Sequence, residues 1–150
     1  MDPQVPIGLV LGGGSLLNQV ARELSTTLER QLAPLDVTAQ QAALLLHAAR
    51  EESSPNRLAA ALGTDTAGMT RLLDRLEDKG LTTRRRHPGD RRSVIVELTG
   101  KGKALLPRLA PGFGRVTRQL LAGFSTEEID ELTGLLGRML DNLAAKPAEE

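Results

Sequence analysis

The 150-residue sequence contains no cysteine, no tryptophan and no tyrosine. Without cysteine there is no disulfide, thiolate metal site, cysteine nucleophile or thiol redox sensor. Its two aromatic residues, Phe113 and Phe124, are too few for a surface that reads RNA by base stacking. Histidine is nearly as scarce: His47 falls in a helical pattern with no ligand at i+4, and His87 falls in a turn, so no zinc site is expected within one chain. Long hydrophobic runs are missing too. The apolar stretch from Val5 to Leu17 is too short to span a bilayer and is broken by four glycines. Met1-Asp2-Pro3-Gln4 lacks the basic region of a signal peptide, and a cytosolic protein without a membrane partner is expected.

What is present is enough for one ordinary domain. Hydrophobic residues make up 40% and charged residues 25% of the chain, and a chain of this length buries enough apolar surface to fold without staples, metal or cofactor. The 19 basic and 19 acidic residues cancel overall. Between Thr66 and Lys103, however, ten basic residues face five acidic ones, and the rest of the chain offsets that excess. A basic middle flanked by acidic arms suggests a local polyanion site.

Apolar spacing predicts mostly helices. Leu17, Val20, Ala21, Leu24 and Leu28 mark a helix over roughly 14–32. Thr38 and Gln41 form a capping box opening a helix over 39–50, with Ala43, Leu44 and Leu45 inward. Ser54 as N-cap and Pro55 as first residue start a short helix ended by Gly63. A fourth helix, over 66–79, carries Met69, Leu72, Leu73 and Leu76 at i, i+3, i+4, i+7 and stops at Gly80. Two β-type runs, 81–85 and 93–98, flank the turn-rich His87-Pro88-Gly89-Asp90. Thr99 caps a further helix reaching about Leu121, in which Pro107, Pro111, Gly112 and Gly114 predict a kink or break. A second capping box, Ser125 with Glu128, starts a last helix with Ile129, Leu132, Leu136, Met139, Leu140 and Leu143 on one face.

The expected fold is therefore mainly α with a small β-hairpin: a winged helix-turn-helix over 36–99, within a single chain of 1–150. The helical segments 1–35 and 100–150 carry apolar stripes whose most economical burial is against a second copy. On the fourth helix the outward residues are Thr66, Ala67, Gly68, Thr70, Arg71, Asp74 and Arg75. The first four are small enough to bring a helix N-terminus close to base edges, and Arg71 reaches a guanine or a phosphate. Asp74 suits pairing with a basic neighbour, for which Arg75 is one choice. Five arginines in nine residues, Arg84, Arg85, Arg86, Arg91 and Arg92, make the hairpin a candidate for the minor groove and its phosphates, although strand alternation prevents them all from facing DNA. Ser54 and Asn56 suit a phosphate at a helix N-terminus, with plain capping an equal reading for Ser54. The glycine-rich segment from Gly8 to Ser15 lacks the Gly-Lys-Ser/Thr ending of a phosphate-binding loop and reads as a flexible arm. A hydrolase built on it would lack a nucleophile–base pair.

Three segments together resemble the multiple antibiotic resistance regulator (MarR) family: 58–63 (LAAALG), 69–81 (MTRLLDRLEDKGL) and 90–102 (DRRSVIVELTGKG). The resemblance covers about 35–105. It implies a homodimeric winged-helix transcription factor, usually a repressor, on a pseudo-palindromic operator in double-stranded DNA. It further implies that Arg92, by its place in the Asp-x-Arg motif, enters the minor groove with Asp90 holding it. Many members release DNA when a small phenolic or anionic effector enters a cleft. With so few aromatics any such pocket here is expected to be aliphatic, with Arg22 or His47 as polar groups. The alternative is an architectural protein that binds DNA without sequence preference or effector.

Overall fold

The protein is described as a computed structural model covering residues 7–10 and 15–145. Its elements are α1 (Ile7–Val10), α2 (Leu16–Leu32), a 3-10 turn (Ala33–Leu35), α3 (Ala39–Arg50), α4 (Pro55–Leu62), α5 (Thr66–Asp78), β1 (Thr82–His87), β2 (Asp90–Leu98), α6 (Gly100–Leu120) and α7 (Thr126–Ala144). The expected order of helices and hairpin is what forms. Of the glycine-rich arm expected at Gly8–Ser15, one part is helical within α1 and Ser15 caps α2, while residues 11–14 lie outside those described. Two compact units succeed one another along the chain, the first ending at Val116 and the second beginning at Thr117. No helix among the described residues is long and apolar enough to cross a membrane.

The first unit is built on the helix-turn-helix. Leu44 and Leu45 of α3, Leu58 of α4, and Met69, Leu72, Leu73 and Leu76 of α5 are all buried in one cluster, joined by Leu32, Leu81, Val96 and Leu109. Each such side chain contributes about 1.5–3 kcal/mol by leaving water. Ala43 is only half-buried; Gln41 and Ala42, one turn before Leu44 and Leu45, share the inward face with them instead. Both capping boxes are formed, the Thr38 hydroxyl accepting from the Gln41 amide and the Ser125 hydroxyl from that of Glu128.

Helix α5 ends in a left-handed residue, Gly80 at φ +73°, following the last cap residue Lys79. Leu81 N–H then donates to Leu76 and Gly80 N–H to Glu77, closing the helix while driving Leu81 into the core. The strands begin there and are longer than the apolar pattern suggests. They pair from Thr82–Leu98 to Arg86–Val94, after which the register shifts and His87 pairs with Asp90. The shift leaves the polar segment Arg91–Ser93 bulged, and the turn shrinks to Pro88-Gly89 with Gly89 N–H donating to His87 Nδ1. A short bridge from the Val96 amide to the Ser53 carbonyl ties the hairpin to the loop before α4.

Thr82, buried at the root of β1, has a hydroxyl with no hydrogen-bond partner among the described residues. Replacing it by the isosteric Val removes a desolvated, unpaired group. Thr82→Val is expected to leave stability unchanged or raise it by about 1 kcal/mol in urea unfolding; a clear loss would mean the hydroxyl is bonded after all.

Of the kink or break expected around Pro107–Gly114, the break does not occur: α6 is continuous from Gly100 to Leu120 with both prolines inside it. Pro107 and Pro111 sit four apart on the exposed side, opposite buried Leu109, Gly112 and Val116. The carbonyls they leave unpaired, those of Lys103 and Pro107, therefore lie on the wet face, and packing of the other face holds the helix together. In the second unit, α7 has no buried residue, and Leu132, Leu135, Leu136, Met139, Leu140 and Leu143 are all exposed.

Candidate DNA interface

Helix α5 is positioned by its N-terminus. Asp65 is the N-cap, its Oδ1 accepting from Gly68 N–H at 2.6 Å. A Cβ at Gly68 would meet the side-chain oxygens of Thr64 and Asp65, which would have to turn aside and loosen the cap to admit it. Beyond it the outward face presents Thr66, Ala67, Thr70, Arg71, Asp74 and Arg75, all exposed, as the apolar stripe implies. The Thr70 hydroxyl donates back to the Thr66 carbonyl at 3.0 Å, which leaves its oxygen free to accept. Ser54 is the N-cap of α4, accepting from Arg57 N–H at 3.3 Å, and Asn56 is exposed in the same first turn.

The wing sorts its arginines as alternation requires. Arg84 turns toward α5, where Nε and Nη2 grip the two oxygens of Glu77 at 2.8 and 3.0 Å and Nη2 also meets Asp74 at 2.5 Å. The paired carboxylates raise the Arg84 pKa, Glu77 first and Asp74 second. Asp74 thus has the basic partner its position demands, and that partner is Arg84 rather than Arg75. Arg85, on the opposite face, pairs with Glu97 at 2.5 Å, and His87 Nε2 lies 3.4 Å from Glu52. Sequence reasoning overlooked Glu77, although its i+3 spacing from Asp74 puts both acids on one helix face.

Arg71, Arg75, Arg86, Arg91 and Arg92 are exposed and, among the described residues, no carboxylate lies in ion-pair range of any of them. Asp90 organises the tip: Oδ1 accepts from the Arg92 amide and Oδ2 from the Ser93 hydroxyl, both at 3.0 Å. Those bonds, the Arg92 amide first, hold the Asp90 carboxyl below its ordinary pKa. The contribution of this tie is complete above the ordinary carboxylate range and is lost as pH falls through the lowered value. Lys79 and Lys101 are directed inward, Lys79 to the Asp36 carbonyl and Gln41, Lys101 to the Lys79 carbonyl. The open cationic surface is therefore smaller than the count over 66–103 suggests.

His47 and Arg22 are both exposed, and His47 lines a groove of about 370 Å³ with Arg50 and Glu51 that does not include Arg22. A larger groove of about 650 Å³ lies between the end of α3, the wing and α6, with Ile95, Leu98 and Leu106 beside Arg50, Arg85 and Lys103. Among the described residues no group of three or more His, Asp or Glu could hold a metal ion.

The comparisons with known proteins agree with this arrangement. The model of the MarR family matches residues 35–93, from the turn before α3 into the second strand of the wing. The chain is similar to apo MarR from E. coli at 31% identity, covering 87% of this chain and 98% of that one, with a TM-score of 0.66. A cysteine-to-serine mutant of E. coli MarR complexed with operator DNA matches at 29% identity, over 91% of this chain and 99% of that one, with a TM-score of 0.75. BpsR of Bordetella bronchiseptica, whose DNA binding is regulated by 6-hydroxynicotinic acid, matches at 25% identity over 87% and 94%, also with a TM-score of 0.75. A helix-turn-helix followed by a wing of free arginines, on a chain alike from end to end to such a regulator, places this protein in the MarR family of DNA-binding transcriptional regulators.

Proposed function

We propose that the protein is a sequence-specific repressor that binds a pseudo-palindromic operator as a homodimer, with α5 of each subunit in a major groove and the wing in the adjacent minor groove. It is a transcription factor, not an enzyme. The observation that carries the reading is the run of exposed arginines along α5 and the wing, Arg71, Arg75, Arg86, Arg91 and Arg92, with no carboxylate in ion-pair range among the described residues. Thr66, Ala67, Thr70 and Arg71 face base edges, with Gly68 behind them in the cap; Ser54, Asn56, Arg75, Arg86 and Arg91 contact phosphates. Arg92 enters the minor groove, its backbone held by Asp90. Half-sites one helical turn apart, roughly 10 bp, and specific affinities on the order of 10⁻⁸–10⁻¹¹ M follow from this docking.

The exposed apolar faces of α2 (Leu16, Leu17, Val20) and α7 support dimerisation, since contiguous apolar surface of this kind marks an interface. A small-molecule effector is part of the proposal. The groove between α3, the wing and α6 suits it better than the Arg22–His47 pairing, because Ile95, Leu98 and Leu106 give it aliphatic walls among polar groups of both signs, Arg50, Arg85 and Lys103 beside Glu51, Glu52 and Glu97.

The test is a salt-controlled titration of DNA from the promoter region beside its own gene, with a random duplex of equal length and the Arg92→Ala protein in parallel. Promoter-selective binding that Arg92→Ala weakens about tenfold or more is expected. Unchanged affinity in Arg92→Ala would sink the wing assignment. Equal affinity for both duplexes would make the protein an architectural binder.

A further inference from the structure

The Arg84 contacts do not suit a phosphate ligand. Three of its donors are engaged within the chain, two of them as a fork on Glu77, and the side chain is 30% exposed. With Asp74 and Glu77 the cluster carries one net negative charge, so it offers a phosphate no net attraction. What the fork does is join two elements. β1 belongs to the wing, α5 to the helix-turn-helix, and a two-stranded ribbon holds its direction poorly by itself. The wing root is anchored by buried Leu81 and Val96 and by the bridge to Ser53. Beyond that, Arg84 is the tie to α5, while the His87–Glu52 approach leads to the loop before α4.

We propose that Arg84 is a positioning residue for DNA recognition: it clamps the wing to α5, so that the wing and the helix must engage adjacent grooves together. Sequence discrimination, more than affinity, then depends on it. The clamp also keeps the Asp74 carboxylate, on the same outward face as Thr70 and Arg71, from repelling the backbone. The inference rests on the operator-binding reading above.

The experiment compares the parent with two full-length variants that break the clamp from opposite sides, Arg84→Met and the near-isosteric pair Asp74→Asn/Glu77→Gln. Affinity is measured for a duplex enriched by the parent from a random-sequence library and for an unselected duplex of equal length. Hydrogen exchange of wing amides is followed in the DNA-free proteins. The clamp predicts that the selected-to-unselected affinity ratio falls about tenfold in both variants, even though the acid-to-amide pair binds unselected DNA more tightly. It also predicts faster exchange over 88–94 with α3 unchanged. A ratio kept within threefold of the parent in either variant overturns the proposal. So does an Arg84→Met protein that loses affinity equally on both duplexes with a salt slope lowered by about 0.9, the mark of a plain phosphate contact. If the parent enriches no sequence, the operator reading fails by itself, and unaltered wing exchange in the acid-to-amide pair would still overturn the clamp.

Discussion

Gly102→Ala is expected to lower the melting temperature by about 10 °C, corresponding to roughly 3 kcal/mol or more, although it adds one methyl to a helix that ought to welcome it. Alanine is the best helix former, and in an open helix position the change would stabilise by about 0.5–1 kcal/mol. At Gly102 the new Cβ would overlap the backbone carbonyl oxygen of Leu81. That carbonyl already accepts from the Thr99 amide at 3.0 Å. The Thr99 hydroxyl donates to the Gly80 carbonyl at 2.6 Å and accepts from the Gly102 amide at 3.1 Å. The start of α6 is thus bolted to the end of α5 through one threonine, and neither side of the overlap is a flexible side chain. Relief requires α6 to withdraw and these bonds to lengthen together. The control is Gly100→Ala, two residues earlier, where a Cβ meets nothing within 4 Å. It should melt at or slightly above the parent at the same protein concentration. If both variants melt alike, the close approach to Leu81 is not what position 102 requires glycine for.

Leu140→Glu is expected to convert a dimer to a monomer and, with it, to reduce operator affinity by about a hundredfold or more, because binding of two half-sites by one particle is lost. Leu140 is 68% exposed and Leu143 84% in the single chain, and with Leu132, Leu135, Leu136 and Met139 they form a ridge along α7. A carboxylate inside an apolar interface is desolvated without a partner, which costs several kcal/mol. Within one subunit the same side chain stays in water and should disturb little, since α7 is started by its own capping box. Sedimentation equilibrium and the anisotropy titration read the two effects separately. A variant that sediments and binds like the parent would remove α7 from the interface.

The local pattern was enough for much of this protein. Caps at Thr38, Ser54 and Ser125 started three helices where short polar side chains could satisfy free amides. The four-residue apolar stripe of α5 decided which of its faces turned outward. Such signals act within one turn of chain, and so they can be read from it. The same pattern could not decide whether α6 would break, because proline's cost depends on whether the carbonyls it orphans meet water or protein, and that is set by which face packs. It also placed the hairpin ends several residues too far in, since the polar bulge and turn are paired by backbone, which carries no composition signal.

Within the site, the division runs between the two elements and their relation. Sequence alone determined that an outward helix face and a basic hairpin exist and follow each other at a family's spacing. Only the tertiary structure decided which arginines remain open to a ligand. Arg84 meets acids seven and ten residues back on another element, and Arg85 meets one twelve residues ahead across the hairpin. Those partnerships depend on the angle at which the wing leaves α5 and on the parity of each strand position, both consequences of how Leu81 and Val96 are buried. Charge is a property of composition, but free charge is a property of packing.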